Sequence, residues 1–217
     1  VLNSKLKEPF VYAVTQSVNY EVGIINNFPI KYPENIETKL EVINIVEHNI
    51  QLAKKDWDRS EVSWNFEKSP LTFGNNLEES FNRFVSEVKS TLILLYENEK
   101  KLNEILLRVY DLEEEFDSQV PLKEITLYQD ILSIDYKSDN DEMEILSNQK
   151  INKEEVVQQF LSYAIGLFMG RYRLDKKGLN IAHPNPTAAE LESYTYNNGE
   201  VIIDEDAILP LMGTNCT

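Results

Sequence analysis

The chain has 217 residues, 42% of them hydrophobic and 27% charged, which excludes a fully disordered or fibrous protein. Acidic residues outnumber basic ones by 37 to 21, and the resulting formal charge of −16 disfavours non-specific binding of nucleic acid by the surface as a whole. The single cysteine, Cys216, cannot form an internal disulfide, and no apolar run approaches the roughly 20 residues of a membrane span. We therefore expect a cytoplasmic protein that does not enter a membrane.

The first third of the chain changes character at about residue 31. Residues 1–30 combine short apolar runs, such as Phe10–Val14, with turn-forming residues, and this pattern predicts short strands and loops. A helix is predicted over 36–54 because apolar residues recur there in steps of three and four. The apolar positions of this helix are Ile36, Leu40, Ile43, Val46, Ile50 and Ala53.

The strongest local pattern predicts one helix of nearly forty residues over 77–116, capped by Asn75 or Asn76. The apolar stripe of this helix is interrupted only at Glu99, and Gly and Pro are absent from the whole segment. A stripe of this length needs partner helices to bury it. Its members are Leu77, Phe81, Phe84, Val88, Leu92, Leu95, Leu102, Leu106, Val109 and Phe116.

The second half of the chain mixes weaker signals with one clear helix. Residues 124–136 are rich in β-branched and aromatic side chains, which predicts strands, and 135–144 reads as a charged loop. A helix is predicted over 153–173, with Asn152 as its cap. Loops and one hairpin near Asn197–Gly199 complete the prediction.

Together these elements predict a mainly α protein (α+β), in which long antiparallel helices form a spacer or bundle and small β or irregular segments lie at both ends. We divide the chain into an N-terminal recognition-like segment (1–33), a helix with an aromatic-rich loop (34–75), a long spacer helix (76–120) and a helical C-terminal module (121–217). Because the chain begins without an initiator methionine, we expect it to be a piece of a larger protein.

Motifs of catalysis or cofactor binding are missing from the sequence. The seven glycines are scattered and form no phosphate-binding loop, and the two histidines, His48 and His183, suggest no catalytic triad. We therefore predict no catalytic residue, no metal site and no cofactor site in this chain. The aromatic residues Trp57, Trp64 and Phe66 are interpreted as core anchors.

One basic cluster stands out against the acidic background. It follows the helix predicted over 153–173, where positive charge would also complement the helix dipole. Contact with phosphate is the alternative interpretation, since cationic residues beside an aromatic side chain suit a nucleic-acid groove. The cluster consists of Arg171, Tyr172, Arg173, Lys176 and Lys177.

Several segments, in the same order, resemble large adenine-specific DNA methyltransferases. Val1–Lys5 and Asn19–Ile30 resemble the end of their DNA-specificity region. The segments that resemble the PglX type of bacteriophage-exclusion (BREX) systems are Lys55–Asp58, Ser63–Phe66, Pro70–Leu71, Glu97–Glu99, Lys101–Glu104, Val109–Glu113, Val120–Thr126, Ser162–Gly166, Gly170–Asp175, Gly178–Leu179 and Asp204–Leu211.

The resemblance implies that the whole protein transfers a methyl group from S-adenosylmethionine to the N6 of a target adenine, which such enzymes flip out of the duplex. The polar-Pro-Pro-aromatic loop of that family is missing, because this sequence contains no Pro-Pro pair. The implied catalytic module and cofactor therefore belong upstream. The implied partners are double-stranded DNA, that upstream module and other defence-system proteins. The candidate DNA contacts are Lys5, Asn19, Arg171, Arg173, Lys176 and Lys177.

Two other functions stay open at this stage. The chain could be a helical scaffold that binds other defence proteins through its acidic face, or an acidic mimic of DNA that occupies the groove of an enzyme. Binding to duplex DNA would separate the methyltransferase reading from both alternatives.

Overall fold

The computed structural model describes residues 4–14, 28–133 and 142–192, together with Gly23 and Asn26, and the fold is mainly helical, as predicted. Two short strands, β1 (Leu132–Ser133) and β2 (Lys150–Ile151), pair in a two-stranded sheet. The α-helices in the described part of the chain are α1 (Lys7–Val14), α2 (Ile36–Asp58), α3 (Leu77–Tyr110), α4 (Glu142–Ser147), α5 (Lys153–Phe168) and α6 (Ala188–Glu192), with 3-10 turns at Pro70–Thr72 and Leu122–Glu124.

The chain folds into two compact units. The first comprises Val1–Lys54 and Ser86–Lys150, and the second comprises Lys55–Val85 and Ile151–Thr217. Within the described residues, none of the helices is both long enough and apolar enough to cross a membrane.

The first unit is built on α3 from Ser86 onward. Of the predicted stripe, Leu77 in the first turn is 54% exposed, the other members are buried or half-buried, and Leu92 is completely shielded from solvent. Helix α2 runs antiparallel to α3, because Glu41 pairs with Lys101 while Asn98 donates a hydrogen bond to Asn49 (2.7 Å). The predicted antiparallel pairing of long helices is therefore present within this unit.

Helix α3 ends at Tyr110, six residues before the predicted end at Phe116. Asp111 adopts a left-handed backbone conformation (φ 57°), and the amide of Leu112 donates to the carbonyl of Leu107 (2.9 Å). This arrangement is a Schellman cap, which reverses the chain. Phe116 still packs against the core around Leu107, so the apolar pattern correctly marked it as buried but not as helical.

Two segments predicted as strands are largely not strands. Phe10–Val14 belongs to α1, and Leu6, just before this helix, packs with Phe10 against the end of α3, because burial on an existing helix outweighs a short β-prone run. Of the described residues 124–133, Leu132–Ser133 forms a strand, and the residues before it are largely turns. Residues 134–141 lie outside the described part of the chain, whereas Glu142 and Glu144, predicted in a loop, begin α4.

Helix α2 forms where predicted and extends to Asp58, but its apolar stripe is not the face that packs. Leu52 is its one buried residue, while the stripe residues are 40–64% exposed. The side of α2 that contacts α3 carries Glu41 and Asn49 instead. The stripe of α2 thus faces solvent in the described structure.

Candidate nucleic-acid interface

The basic cluster lies in a loop that leaves α5. Helix α5 begins at the predicted cap, Asn152, whose side chain accepts hydrogen bonds from the amides of Glu154 and Glu155. It ends at Phe168, because Gly170 adopts a left-handed conformation (φ 74°) and the amide of Arg171 donates to the carbonyl of Gly166 (2.7 Å). The prediction that the helix continues to Arg173 was therefore wrong, and we call Arg171–Lys177 the basic loop.

Tyr172 anchors the basic loop in the core of the second unit. Its ring packs against Phe66 (5.3 Å between centroids) and Tyr163 (5.1 Å). Gly166 makes this approach possible, because a Cβ atom there would lie 2.6 Å from the Tyr172 ring. Burial, together with a hydrogen bond to Glu61, raises the pKa of Tyr172 to about 12, so this hydroxyl stays neutral.

The cationic side chains of the basic loop are positioned by neighbours within the same unit. Arg173 forms an ion pair with Asp175 (2.5 Å), which lowers the pKa of that carboxyl, and Lys177 pairs with Glu67 (2.6 Å). Lys176 donates to Asn180 (3.0 Å). The Arg173 side chain is 19% exposed and binds both carboxylate oxygens of Asp175. The Lys177–Glu67 pair and the Lys176 contact are exposed, and such surface contacts are weak and can be exchanged for phosphate. Arg171 is exposed as well.

A second segment, Ser63–Lys68, is hydrogen-bonded to the basic loop and to the residue that follows it. The amide of Gly178 donates to the carbonyl of Glu67 (3.0 Å), and Lys68 donates to the carbonyl of Leu174. This segment therefore adds one cation, Lys68, to the four of the basic loop. Three carboxylates, Asp175, Glu67 and Glu61, offset part of this charge, but five cations leave the local balance positive in an otherwise acidic chain.

Trp64 in this segment is 99% exposed, so its interpretation as a core anchor was wrong. Ser63 and Phe66 on either side are buried, and the Ser63 hydroxyl donates to Asp58 (2.6 Å) and accepts from the amide of Asn65 (3.1 Å). This turn directs the indole into solvent. Trp57 is 62% exposed and also does not anchor the core, whereas Phe66 does.

The sequence analysis missed Trp64 as a candidate contact residue. No pattern in the sequence separates Trp64 from the core aromatics of this unit, because Phe66 and Tyr172 also stand between polar or charged residues. An indole exposed beside several cations is the usual composition of a surface that stacks on nucleobases.

The remaining two predicted contacts do not belong to this group. Lys5 lies in the first unit, where its ammonium donates to the carbonyl of Gln119 (2.8 Å) and its amide to Asn103 (3.1 Å). Asn19 lies outside the described residues. The structure thus gathers Arg171, Arg173, Lys176 and Lys177 in one loop and holds Lys5 elsewhere.

Lys5 borders a cleft of about 920 Å³ in the first unit, together with Lys7, Lys31 and Lys123. The cleft is not uniformly basic, since Glu99 and Glu124 also line it. Burial and the nearby charge of Glu124 raise the pKa of Glu99 to about 7. With four lysines and two glutamates the cleft also has a positive balance, although Lys31 is paired with Asp111 (2.9 Å).

Among residues 4–14, 28–133 and 142–192, no three His, Cys, Asp or Glu side chains are grouped as metal ligands would be. Of the acidic residues in the loop predicted over 135–144, Asp139 and Asp141 fall outside these ranges. Glu142 accepts a hydrogen bond from the hydroxyl of Tyr96 (2.6 Å), which gives it a structural partner.

Comparison with known proteins shows that the chain is similar to adenine-specific methyltransferases along nearly its whole length. It is 23% identical to the adenine-specific methyltransferase PglX of Lacticaseibacillus casei (strain Zhang) over 212 residues, and 26% identical to the adenine-specific methyltransferase BrxX of Escherichia coli O9:H4 (strain HS) over 214 residues. These alignments cover 94% and 97% of the chain. No family model matches it.

The chain spans only 16% and 17% of the length of these two relatives. The resemblance to PglX-type methyltransferases is thus confirmed, and it is a resemblance to a part of them. The similarity also runs continuously across both units, because each alignment covers more than nine-tenths of the chain.

Proposed function

We propose that this chain is a non-catalytic part of a site-specific adenine-N6 DNA methyltransferase of a phage-defence system. The observation that carries this proposal is the match to two adenine-specific methyltransferases over 94–97% of the chain. In this proposal the S-adenosylmethionine site and the catalytic loop lie in another part of the polypeptide. The chain supports DNA recognition and the packing of the enzyme, and it works in the cytoplasm, where the DNA is.

The basic loop is the surface that we assign to DNA. Phosphate contacts position a protein on the duplex, and they come mainly from Arg, Lys and backbone amides on projecting segments. The basic loop fulfils these conditions, because Tyr172 fixes its backbone in the core while Arg171 and Lys176 extend into solvent. A rigid backbone with exposed cations reduces the entropy that binding must overcome.

Trp64 adds a second kind of contact to the same surface. Stacking of a base on an exposed aromatic ring contributes about 1–3 kcal/mol and tolerates any sequence. Because the target base of such an enzyme leaves the duplex, unpaired bases are available near the site of reaction. We assign Trp64 to an unpaired base or a strand end rather than to the intact duplex.

Fluorescence anisotropy of labelled duplex DNA, measured from low to physiological salt, tests the assignment. The main variant combines Arg171→Glu and Lys176→Glu, two exposed residues of the basic loop. If both contact phosphate, the slope of log affinity against log salt falls by up to about 1.8, since each contact contributes roughly 0.9. The extended variant also reverses Arg173 and Lys177.

A matched control reverses two exposed lysines of the first unit, Lys39 and Lys150, and so changes the net charge equally. We expect this control to keep nearly the same slope of log affinity against log salt as the unmodified chain. Its altered net charge should change that slope only slightly. Equal losses in both variants, or no binding even at low salt, would remove the basic loop from the DNA interface.

The helical scaffold remains the second candidate, and one observation favours it: the apolar stripe of α2 is exposed. A scaffold would use that stripe, and not the basic loop, for its partners. DNA binding that depends on Arg171 and Lys176 separates the two functions, because a scaffold has no reason to lose affinity with those residues.

A further inference from the structure

The surface of α2 that faces away from α3 carries a continuous apolar stripe. At 3.6 residues per turn, its members fall within an arc of about 80° on one side of the helix. Their exposed fractions are 64%, 52%, 40% and 61%. We call this stripe the α2 apolar face, and it consists of Ile36, Leu40, Ile43 and Ile50.

The α2 apolar face is not the side of the helix that packs within the first unit. The residues of α2 that contact α3 or lie buried, namely Glu41, Asn49 and Leu52, project from the opposite side of the helix. Four branched apolar side chains on one helical face are unfavourable in water, because a partner would remove their exposed apolar area from solvent. Exposed contiguous apolar patches mark interaction sites.

We propose that the α2 apolar face docks onto another part of the same polypeptide, in the part of the methyltransferase that lies outside this chain. The inference rests on the function proposed above. The chain spans about a sixth of the length of its relatives. In a polypeptide of that length, most residues lie outside this chain and are available to cover the face.

The groove beside this face fits a protein partner as well. Val42 and Val46 of α2 line the same cleft as Leu102 and Leu106 of α3, so the cleft has an apolar floor. Lys5, Lys7, Lys31 and Lys123 also line it, together with Glu99 and Glu124. An apolar floor with charged residues of both signs around it suits an amphipathic helix that carries acidic and basic residues along its flanks.

Maleimide labelling of single cysteines tests the proposal in two forms of the protein, this chain and the intact methyltransferase. Cys216 is first replaced by serine, and then Ile43→Cys is compared with His48→Cys, an exposed position on the same helix but well outside the apolar face. In this chain both cysteines should react at similar rates. In the intact enzyme we expect Cys at position 43 to react at least about tenfold more slowly, while position 48 keeps its rate.

Three outcomes would overturn the proposal. Equal rates at positions 43 and 48 in the intact enzyme mean that nothing covers the face. Protection of position 43 in this chain that rises with protein concentration identifies a second copy as the occupant. Protection at any concentration in this chain identifies its own residues outside the described ranges.

A charged variant supplies an independent measurement. Because Leu40 and Ile43 are exposed in this chain, Leu40→Glu with Ile43→Glu should leave its melting temperature unchanged, whereas the intact enzyme should melt at a lower temperature. The matched control is His48→Glu, which should change neither. The labelling rates and melting temperatures do not depend on DNA binding. A result that contradicts docking of the α2 apolar face is therefore distinguishable from one that contradicts DNA binding by the basic loop.

Discussion

Helices α2 and α3 carry similar sequence patterns and have opposite environments. Both show apolar residues at steps of three and four, yet Leu92 of α3 is fully buried while Leu40 of α2 is 52% exposed. The spacing of apolar residues predicts a helix and the face of that helix on which a partner packs. It does not predict whether the partner is part of the same chain. A helix whose stripe faces solvent therefore indicates an interface.

The largest expected effect separates the two stripes directly. Leu92→Ala should lower the free energy of unfolding by about 2–5 kcal/mol, because it leaves a cavity in a packed core. Leu40→Ala should change it by no more than about 0.5 kcal/mol, as exposed substitutions do. Urea denaturation of this chain measures both. A cost above about 1 kcal/mol for Leu40→Ala would show that the α2 apolar face is packed after all.

A smaller effect concerns the one interruption of the α3 stripe. The pKa of Glu99 is raised from 4.5 to about 7, so the folded chain holds this proton more tightly than the unfolded chain does. Stability must therefore fall as pH rises from about 4.5 to about 7. Glu99→Gln should abolish this part of the pH dependence and be more stable than the unmodified chain above pH 7. Unfolding curves at pH 5 and pH 8 test it, and a constant difference between the two proteins would contradict it.

The smallest effect should be shared by both helices. Asn35 accepts from the amide of Glu37 (2.9 Å) at the start of α2, and Asn76 accepts from the amide of Glu79 (2.8 Å) at the start of α3. Each change to alanine should cost about 1 kcal/mol, because a cap acts locally whatever the stripe faces. Serine at either position should restore most of the loss. A much larger cost at one end would mean that the cap also joins tertiary contacts.

The sequence predicted those parts of the fold that depend on local chemistry. The two long helices, the caps Asn76 and Asn152 and the buried stripe of α3 follow from spacing and from capping side chains. Helix α1 was not predictable in this way, because its stability comes from Leu6 and Phe10 packing on α3, more than ninety residues away along the chain. The early ends of α3 and α5 depend on left-handed residues, Asp111 and Gly170, which composition does not reveal.

For the candidate interface, the sequence located the cations but not their arrangement. Arg171 and Lys176 could be identified as a cluster because they lie close together in the chain. Trp64 could not, since its segment joins the basic loop through contacts such as Gly178 with Glu67, between residues over a hundred positions apart. The sequence does not tell whether a tryptophan side chain is exposed or buried. In the structure, the turn at Ser63 places the Trp64 side chain in solvent.

Two surfaces of the chain have separate proposed roles. The basic loop contacts DNA, and the α2 apolar face docks onto another part of the same polypeptide. Hydrogen exchange of the intact methyltransferase, with and without duplex DNA, tests this division most directly. The account predicts that DNA slows exchange in peptides covering 60–67 and 171–180 and leaves 36–50 unchanged. Unchanged exchange at 171–180, with slower exchange at 36–50, would contradict it and would move the DNA contact to the other surface.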